Sequence, residues 1–259
     1  MEAAESLKPS VGRFLYCALL VTFLLTVLSF TGCGHDDEEI ITFSDPSLEA
    51  AVRQAISKPN GDIYQAELVG MTSLNASWRG IVDLTGLEHA TSLTHLDLHS
   101  NNISDISALA SLTNVCELHL GWNQVSDISA LAYLTSLTWL DLDSNQISDI
   151  SAVADLTGLT DLYLGWNQIG NISAIASTTG MRILDLAGNK VSNISPLAGL
   201  TNLRELYLPW NQVSDISSLV ANSGLGEGDC VDLGYNPLSD TSRYTYIPQL
   251  QARGVTVFY

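Results

Sequence analysis

Residues 159–167 read "LTDLYLGWN", and the same frame returns at fixed steps on either side. It stands at 93–101 as "LTHLDLHSN", at 115–123 as "VCELHLGWN", at 137–145 as "LTWLDLDSN", at 181–189 as "MRILDLAGN" and at 203–211 as "LRELYLPWN". Asn101, Asn123, Asn145, Asn167, Asn189 and Asn211 therefore fall 22 residues apart without a slip, and Asn236 follows after 25. One step before the first of these, "MTSLNASWR" fits with Arg79 in the Asn slot. A second period lies over the first: Trp78, Trp122, Trp166 and Trp210 are 44 residues apart. The array reads as copies of a two-turn unit.

The frame LxxLxLxxN is the leucine-rich-repeat signature. Numbering it 1 to 9, the core at positions 4 to 6 alternates apolar and polar, which makes a short strand with its leucines facing inward. One turn cannot bury its own apolar side, so successive turns stack their strands into a parallel sheet and supply each other's core. The Asn at position 9 must turn inward, where its amide can satisfy backbone groups of adjacent turns. The return path, "ISDISALASL" and its variants, fills the interior with residues such as Ile103, Ile106, Leu109 and Leu112. Its recurrent acid (Asp83, Asp105, Asp127, Asp149, Asp215, Asp240) is replaced by Asn171 and Asn193 in two turns. Asp and Asn exchange freely where the task is to cap a helical turn and not to carry charge.

Flanking segments close the open ends. "FSDPSLEAAVRQAISK" reads as a helix with Asp45 at its cap, Pro46 at the first position and Leu48, Val52 and Ile56 on one face. "KPNGD" breaks it, and "YQAELVG" is a second helical piece. "TSRYTYIPQLQARG" and "VTVFY" read as a last helix and a closing strand, and 223–229 as an enlarged loop. The expected fold class is thus α/β: a leucine-rich-repeat solenoid with a parallel concave sheet, about eight repeats plus a closing strand, and a helical N-terminal cap. Its expected divisions are a membrane-targeting segment at 1–33, an acidic tether at 34–41, the cap at 42–70, repeats at 71–240, and a C-terminal cap at 241–259.

Residues 14–30, "FLYCALLVTFLLTVLSF", are apolar almost throughout, with Lys8 and Arg13 before them and "DDEE" soon after. That charge order directs the bulk of the chain out of the cytoplasm. Phe30-Thr31-Gly32-Cys33 resembles a bacterial lipoprotein processing box, with Phe30 where the box usually has Leu. The resemblance implies lipidation at Cys33; an uncleaved anchor or an ordinary signal peptide are the alternatives. Beyond it, Cys116 and Cys230 are too few for a disulfide-dense scaffold, and they fall in turns too far apart to bridge. The net charge is −18, while Glu2, Glu5, Lys8 and Arg13 cancel at the N-terminus. Phosphate backbones are held by clustered basic residues, so nucleic acid is not an expected partner.

The 22-residue unit with N-x-[IV]-S-[DN]-I-S resembles the internalin class of bacterial leucine-rich repeats over about 42–259. That resemblance implies a helical cap and binding of a protein ligand by the concave sheet. The sequence up to Tyr259 shows no immunoglobulin-like segment or wall-sorting tail, and host-cell invasion is not implied.

The variable positions of the frame are expected to face the concave side. Position 5 runs Asn75, Asp97, His119, Asp141, Tyr163, Asp185, Tyr207, Asp232, acid alternating with imidazole or phenol. Position 8 runs Trp78, Ser100, Trp122, Ser144, Trp166, Gly188, Trp210, Tyr235, aromatic alternating with small. An indole beside Ser or Gly has room to lie over its smaller neighbour. Two readings follow: rim packing, or a ladder of aromatic anchors with rungs about 10 Å apart. The expected ligand-binding set is Trp78, Trp122, Trp139, Trp166, Trp210, Tyr163, Tyr207, Asp97, His119, Asp141 and Asp185.

His95, Asp97 and His99 with Glu117 and His119 have zinc-ligand chemistry, but no Cys and no fixed ligand spacing supports a metal site. No phosphate-cradling loop and no nucleophile with a recognisable base is visible, so neither catalysis nor a cofactor is expected. The sequence reading is an extracytoplasmic, membrane-tethered binding protein with a protein or peptide ligand. A glycan ligand and a passive envelope spacer are the alternatives, and oligomeric state is left open.

Overall fold

A computed structural model describes residues 39–259. The apolar segment at 14–30 and Cys33 lie outside the described residues. The N-terminal cap begins with β1 (Ile40–Ile41), followed by α1 (Pro46–Ala55), β2 (Ile63–Tyr64) and α2 (Gln65–Val69). Asp45 caps α1 as the sequence indicates, accepting from the N–H groups of Ser47 and Leu48 at 2.8 and 3.2 Å. Its second oxygen takes the Val82 N–H at 2.8 Å, which ties the cap to the first repeat. The antiparallel pairing of β1 with β2 was not anticipated. It draws Ile40 and Ile41 out of the expected tether and into the cap, with Ile41 buried.

Among the described residues, nine parallel strands then stack in chain order. They are β3 (Ser73–Asn75), β4 (His95–Asp97), β5 (Glu117–His119), β6 (Trp139–Asp141), β7 (Asp161–Tyr163), β8 (Ile183–Asp185), β9 (Glu205–Tyr207), β10 (Cys230–Asp232) and β11 (Thr256–Phe258). The eight strands β3 to β10 each span frame positions 3 to 5, and equivalent positions pair in register: Leu118 with Leu140, Leu140 with Leu162, Leu162 with Leu184. The register is fixed because a one-residue slip would turn every leucine out to water. Leu96, Leu118, Leu140, Leu162, Leu184 and Leu206 all lie in one continuous buried core with the apolar residues of the return path.

The return path is a short 3-10 turn in six successive repeats, such as Ser107–Ser111 and Ser151–Asp155, and becomes α3 (Ser217–Ala221) in the next. Ahead of these turns the recurrent Asp or Asn acts as a local cap. Asp105, Asp127, Asp149, Asn171, Asn193 and Asp215 each accept the N–H of the Ser two residues on, at 2.8 to 3.0 Å. Asp240 differs, opening the C-terminal helical stretch that ends in α4 (Ile247–Ala252). Arg253 fastens that end by donating to the carbonyls of Leu219, Val220 and Asn222, the last turn of α3.

The Asn ladder carries the stacking. Asn167 Nδ2 donates to the carbonyls of Leu142, Leu164 and Gly165, and its Oδ1 accepts the Ile147 N–H. Asn101, Asn123, Asn145, Asn189, Asn211 and Asn236 repeat the pattern. Cys116 precedes β5 and Cys230 lies on β10, five strands away, so the two thiols do not meet. No helix among the described residues is long and apolar enough to cross a membrane.

Candidate functional site

The strands turn the side chains of positions 3 and 5 to the face opposite the leucines. At the centre of that face His119, Trp139 and Tyr163 come together although they belong to three different strands. The Trp139 ring lies 4.1 Å from His119 and 5.2 Å from Tyr163, centroid to centroid. A residue at position 3 thus packs diagonally between position 5 residues of the strands on either side, which long side chains on one sheet face can do. The three rings are half-buried and form one aromatic surface. Further along, Tyr207 donates its hydroxyl to Glu205 at 2.9 Å. That bond holds the phenol protonated, with its pKa pushed up to about 12.

The acids of position 5 have a structural duty that their column does not reveal. Asp97, Asp141, Asp185 and Asp232 each accept, through Oδ1, the N–H of the residue two further on, at 2.8 to 3.0 Å. This turn ends each strand in alternate repeats. Where position 5 is Tyr207, which cannot serve in this way, position 7 is Pro209 and has no N–H to satisfy.

Asp143 was missed by the sequence reading. It stands at position 7, and the signal was available: position 7 is glycine in the turns on either side, Gly121 and Gly165. A Cβ on Gly121 would fall 2.6 Å from the Asp141 carboxylate, and one on Gly165 would fall 3.1 Å from Asp143 and 3.4 Å from Asp185. The missing side chains are what let these carboxylates lie flat on the sheet. Asp143 accepts the Gly165 N–H at 2.5 Å. Burial first, then the charges of Asp141 and Asp185, push its pKa up to about 7. Burial also raises Asp141 against the pull of the Asp143 N–H, His99 and His119. Asp185 is raised by burial and by the charges of Asp232 and Asp141.

The histidines and acids considered for zinc pair off, with Glu117 shared by two of the histidines. His119 Nε2 meets Glu117 Oε1 at 2.9 Å, His95 meets Glu117 at 3.7 Å, and His99 leans to Asp141 at 3.7 Å. Asp97 is engaged by the His99 N–H and by Asn75 Nδ2. Among the described residues no three His, Cys, Asp or Glu converge as a metal site.

The structure separates the expected binding set into two. Asp97, His119, Trp139, Asp141, Tyr163, Asp185 and Tyr207 are on the strands and share the concave face. Trp78, Trp122, Trp166 and Trp210 are not on the strands. They stand three residues past strand ends, in the turn leading to the inward Asn, with φ of 55° to 60°. The left-handed backbone there carries the side chain to the edge of the sheet. The reason is the sharp inward turn that position 9 requires, and period alone does not show it.

A family profile described as Leucine Rich repeats (2 copies) matches residues 91–133, 135–177 and 179–221. The structure of internalin C2 from Listeria monocytogenes is similar at 37% identity, covering 84% of this chain and 92% of that one, with a TM-score of 0.75. A second Listeria monocytogenes internalin, InlF, is similar at 31% identity over 83% of this chain and 68% of its own, with a TM-score of 0.74. The leucine-rich-repeat ectodomain of an Arabidopsis thaliana receptor kinase, solved in complex with Casparian strip integrity factor 2, is similar at 25% identity. That match covers 69% of this chain and 22% of the receptor chain, with a TM-score of 0.57. Curated proteins give no match. Identity above 30% across most of two internalins, with TM-scores of 0.75 and 0.74, places this chain in the internalin family of leucine-rich-repeat proteins.

Proposed function

We propose that the protein binds a protein or peptide ligand on its concave face, outside the cytoplasm, while tethered through its N-terminus. The observation that carries this reading is the half-buried aromatic surface of His119, Trp139 and Tyr163 with carboxylates beside it. Rigid aromatic anchors ringed by polar groups are the usual centre of a protein interface. The Arabidopsis receptor lends support, since the same architecture is seen there with a bound factor. The acids favour a ligand with basic groups, because the concave face carries Asp141, Asp143 and Asp185, and among the described residues no Arg or Lys is bonded to any of them.

The test is a selection of displayed peptides on the full chain, followed by affinity measurements on the winners. Trp139→Ala is expected to weaken a selected ligand by about 2 kcal/mol, with His119→Ala and Tyr163→Ala weaker in effect. Ligands indifferent to all three substitutions would move binding away from this face and sink the reading.

Tethering is proposed to run through Cys33, supported by the apolar run that ends in Gly32-Cys33. Cys33→Ala is expected to release the protein from the membrane fraction or stall its processing in a bacterial host. Unchanged retention together with unchanged gel mobility would instead identify residues 14–30 as an uncleaved anchor.

A further inference from the structure

The backbone of the fold does not require the aromatic column at the sheet edge. Left-handed backbone is unfavourable for any residue with a Cβ and most of all for a bulky one. Yet Trp78, Trp122, Trp166, Trp210 and Tyr235 all hold φ between 55° and 60°. Gly188, Ser100 and Ser144 occupy the same slot in the intervening turns, so small residues satisfy the backbone there. Nor does burial account for the choice: the five side chains are 76%, 62%, 61%, 53% and 72% exposed.

Their arrangement is ordered. The Trp166 ring lies on Gly188 of the next turn, close enough that a Cβ there would fall 2.7 Å from it. Trp210 stacks on Tyr235 at 3.9 Å and 10° between planes, and Trp78 leans toward His99 at 5.8 Å. Trp166 and Trp210 thus reach over the following turn, and the in-register sheet repeats the indole slot at every second turn, about 10 Å apart. The column holds no charged residue although the chain carries −18. Gln124, Gln168 and Gln212, two residues past three of the indoles, are exposed and supply neutral amide donors and acceptors.

We propose that this edge is a second binding site, separate from the concave face, and that its ligand is a neutral β-1,4-linked polysaccharide lying across the turns. A pyranose ring with equatorial substituents presents a flat face of axial C–H bonds, which stacks on an indole. The β-1,4 linkage turns alternate rings over, so the same face recurs with every second sugar. Two such sugars span about the length of two strand spacings, which is the rung spacing. The Gln amides complement the sugar hydroxyls. The strongly acidic chain repels phosphate- or uronate-bearing polymers and anionic lipid surfaces, which leaves an uncharged chain as the fitting occupant. This site does not depend on what the concave face binds.

The experiment is calorimetry and tryptophan fluorescence on the full-length chain with cellohexaose, with the β-1,4 hexamer of N-acetylglucosamine, and with α-1,4-linked maltohexaose. At least one β-1,4 hexamer is expected to bind, more tightly than maltohexaose, with affinity rising in steps of two sugars from dimer to hexamer. Trp122→Ser and Trp166→Ser are each expected to weaken it about tenfold with an unchanged unfolding midpoint, since Ser100 and Ser144 already sit in that slot. Trp122→Tyr is expected to keep most of the affinity, as Tyr235 fits the same backbone. Tyr244→Ser, an exposed aromatic elsewhere, is expected to change nothing. The proposal is overturned if neither β-1,4 hexamer binds, if maltohexaose binds as well, or if binding ignores Trp122→Ser and Trp166→Ser. Loss of sugar binding in Trp139→Ala equal to that in the edge variants would also overturn it, by placing the sugar on the concave face.

Discussion

Asn167→Ala is expected to lower the unfolding free energy by about 3 kcal/mol. The side chain is 7% exposed and makes four hydrogen bonds to backbone, at 2.9 to 3.1 Å. Two of the partners, Leu142 O and Ile147 N, belong to the preceding turn. Truncation leaves the Ile147 N–H and at least one carbonyl without a partner in a dry interior, and each such group costs about 1–3 kcal/mol. The site is mid-array, where stability depends on the contacts between neighbouring turns, so the break is felt on both sides. Asn145→Ala makes the internal comparison. It has equivalent bonds but is only part-buried, so water can reach the orphaned groups and a smaller loss is expected. Urea unfolding of both variants decides the matter. A loss below about 1 kcal/mol for Asn167→Ala would mean that the ladder does not hold the turns together.

Asp143→Asn is expected to stabilise the protein at neutral pH, by about 2 kcal/mol. Burial and the neighbouring charges of Asp141 and Asp185 hold this carboxyl near pKa 7, against 3.8 for an ordinary Asp. A displacement of that size corresponds to about 4 kcal/mol; screening of a group still partly in water reduces it to about 2 kcal/mol. The amide keeps an oxygen for the Gly165 N–H and removes the charge. The sign in pH follows from proton counting. Between about pH 4 and 7 the folded state holds a proton at Asp143 that the unfolded chain has released, so stability falls as pH rises through that window. The raised values of Asp141 and Asp185 act in the same direction. Asp45, lowered because its backbone hydrogen bonds outweigh its burial, acts oppositely, but only as pH falls below the ordinary carboxylate range. The wild-type chain is therefore expected to melt at a higher temperature at pH 5 than at pH 8. In Asp143→Asn the midpoint at pH 8 should rise and the difference should shrink. A wild-type midpoint that is lower at pH 5 would show that the acidic row is not strained at neutral pH.

The acidic row and the aromatic edge also show how far a repeat can be read from its letters. The 22-residue spacing of Asn101 to Asn211 determined the fold by itself, because a strand with period-two leucines can bury them only by stacking in register on its copies. For the same reason the sequence determined the core, the inward Asn, the local caps at Asp105 to Asp215 and the closing strand. It also determined which residues share a column, and hence that Asp97, His119, Asp141, Tyr163, Asp185 and Tyr207 share a face. What it left undecided is what those columns do, because direction and distance are set between turns. Trp139 meets His119 and Tyr163 diagonally, across strands 22 residues apart. Asp143 is pushed up to about 7 by burial first and then by the charges of Asp141 and Asp185, and the bare Cα of Gly165 leaves room for its carboxylate and that of Asp185 side by side. Trp122 and Trp166 belong to the edge and not to the concave sheet because the chain must swing through left-handed backbone to aim Asn123 and Asn167 inward. Periodicity fixes which residues are equivalent, and only the packed structure fixes what each one touches.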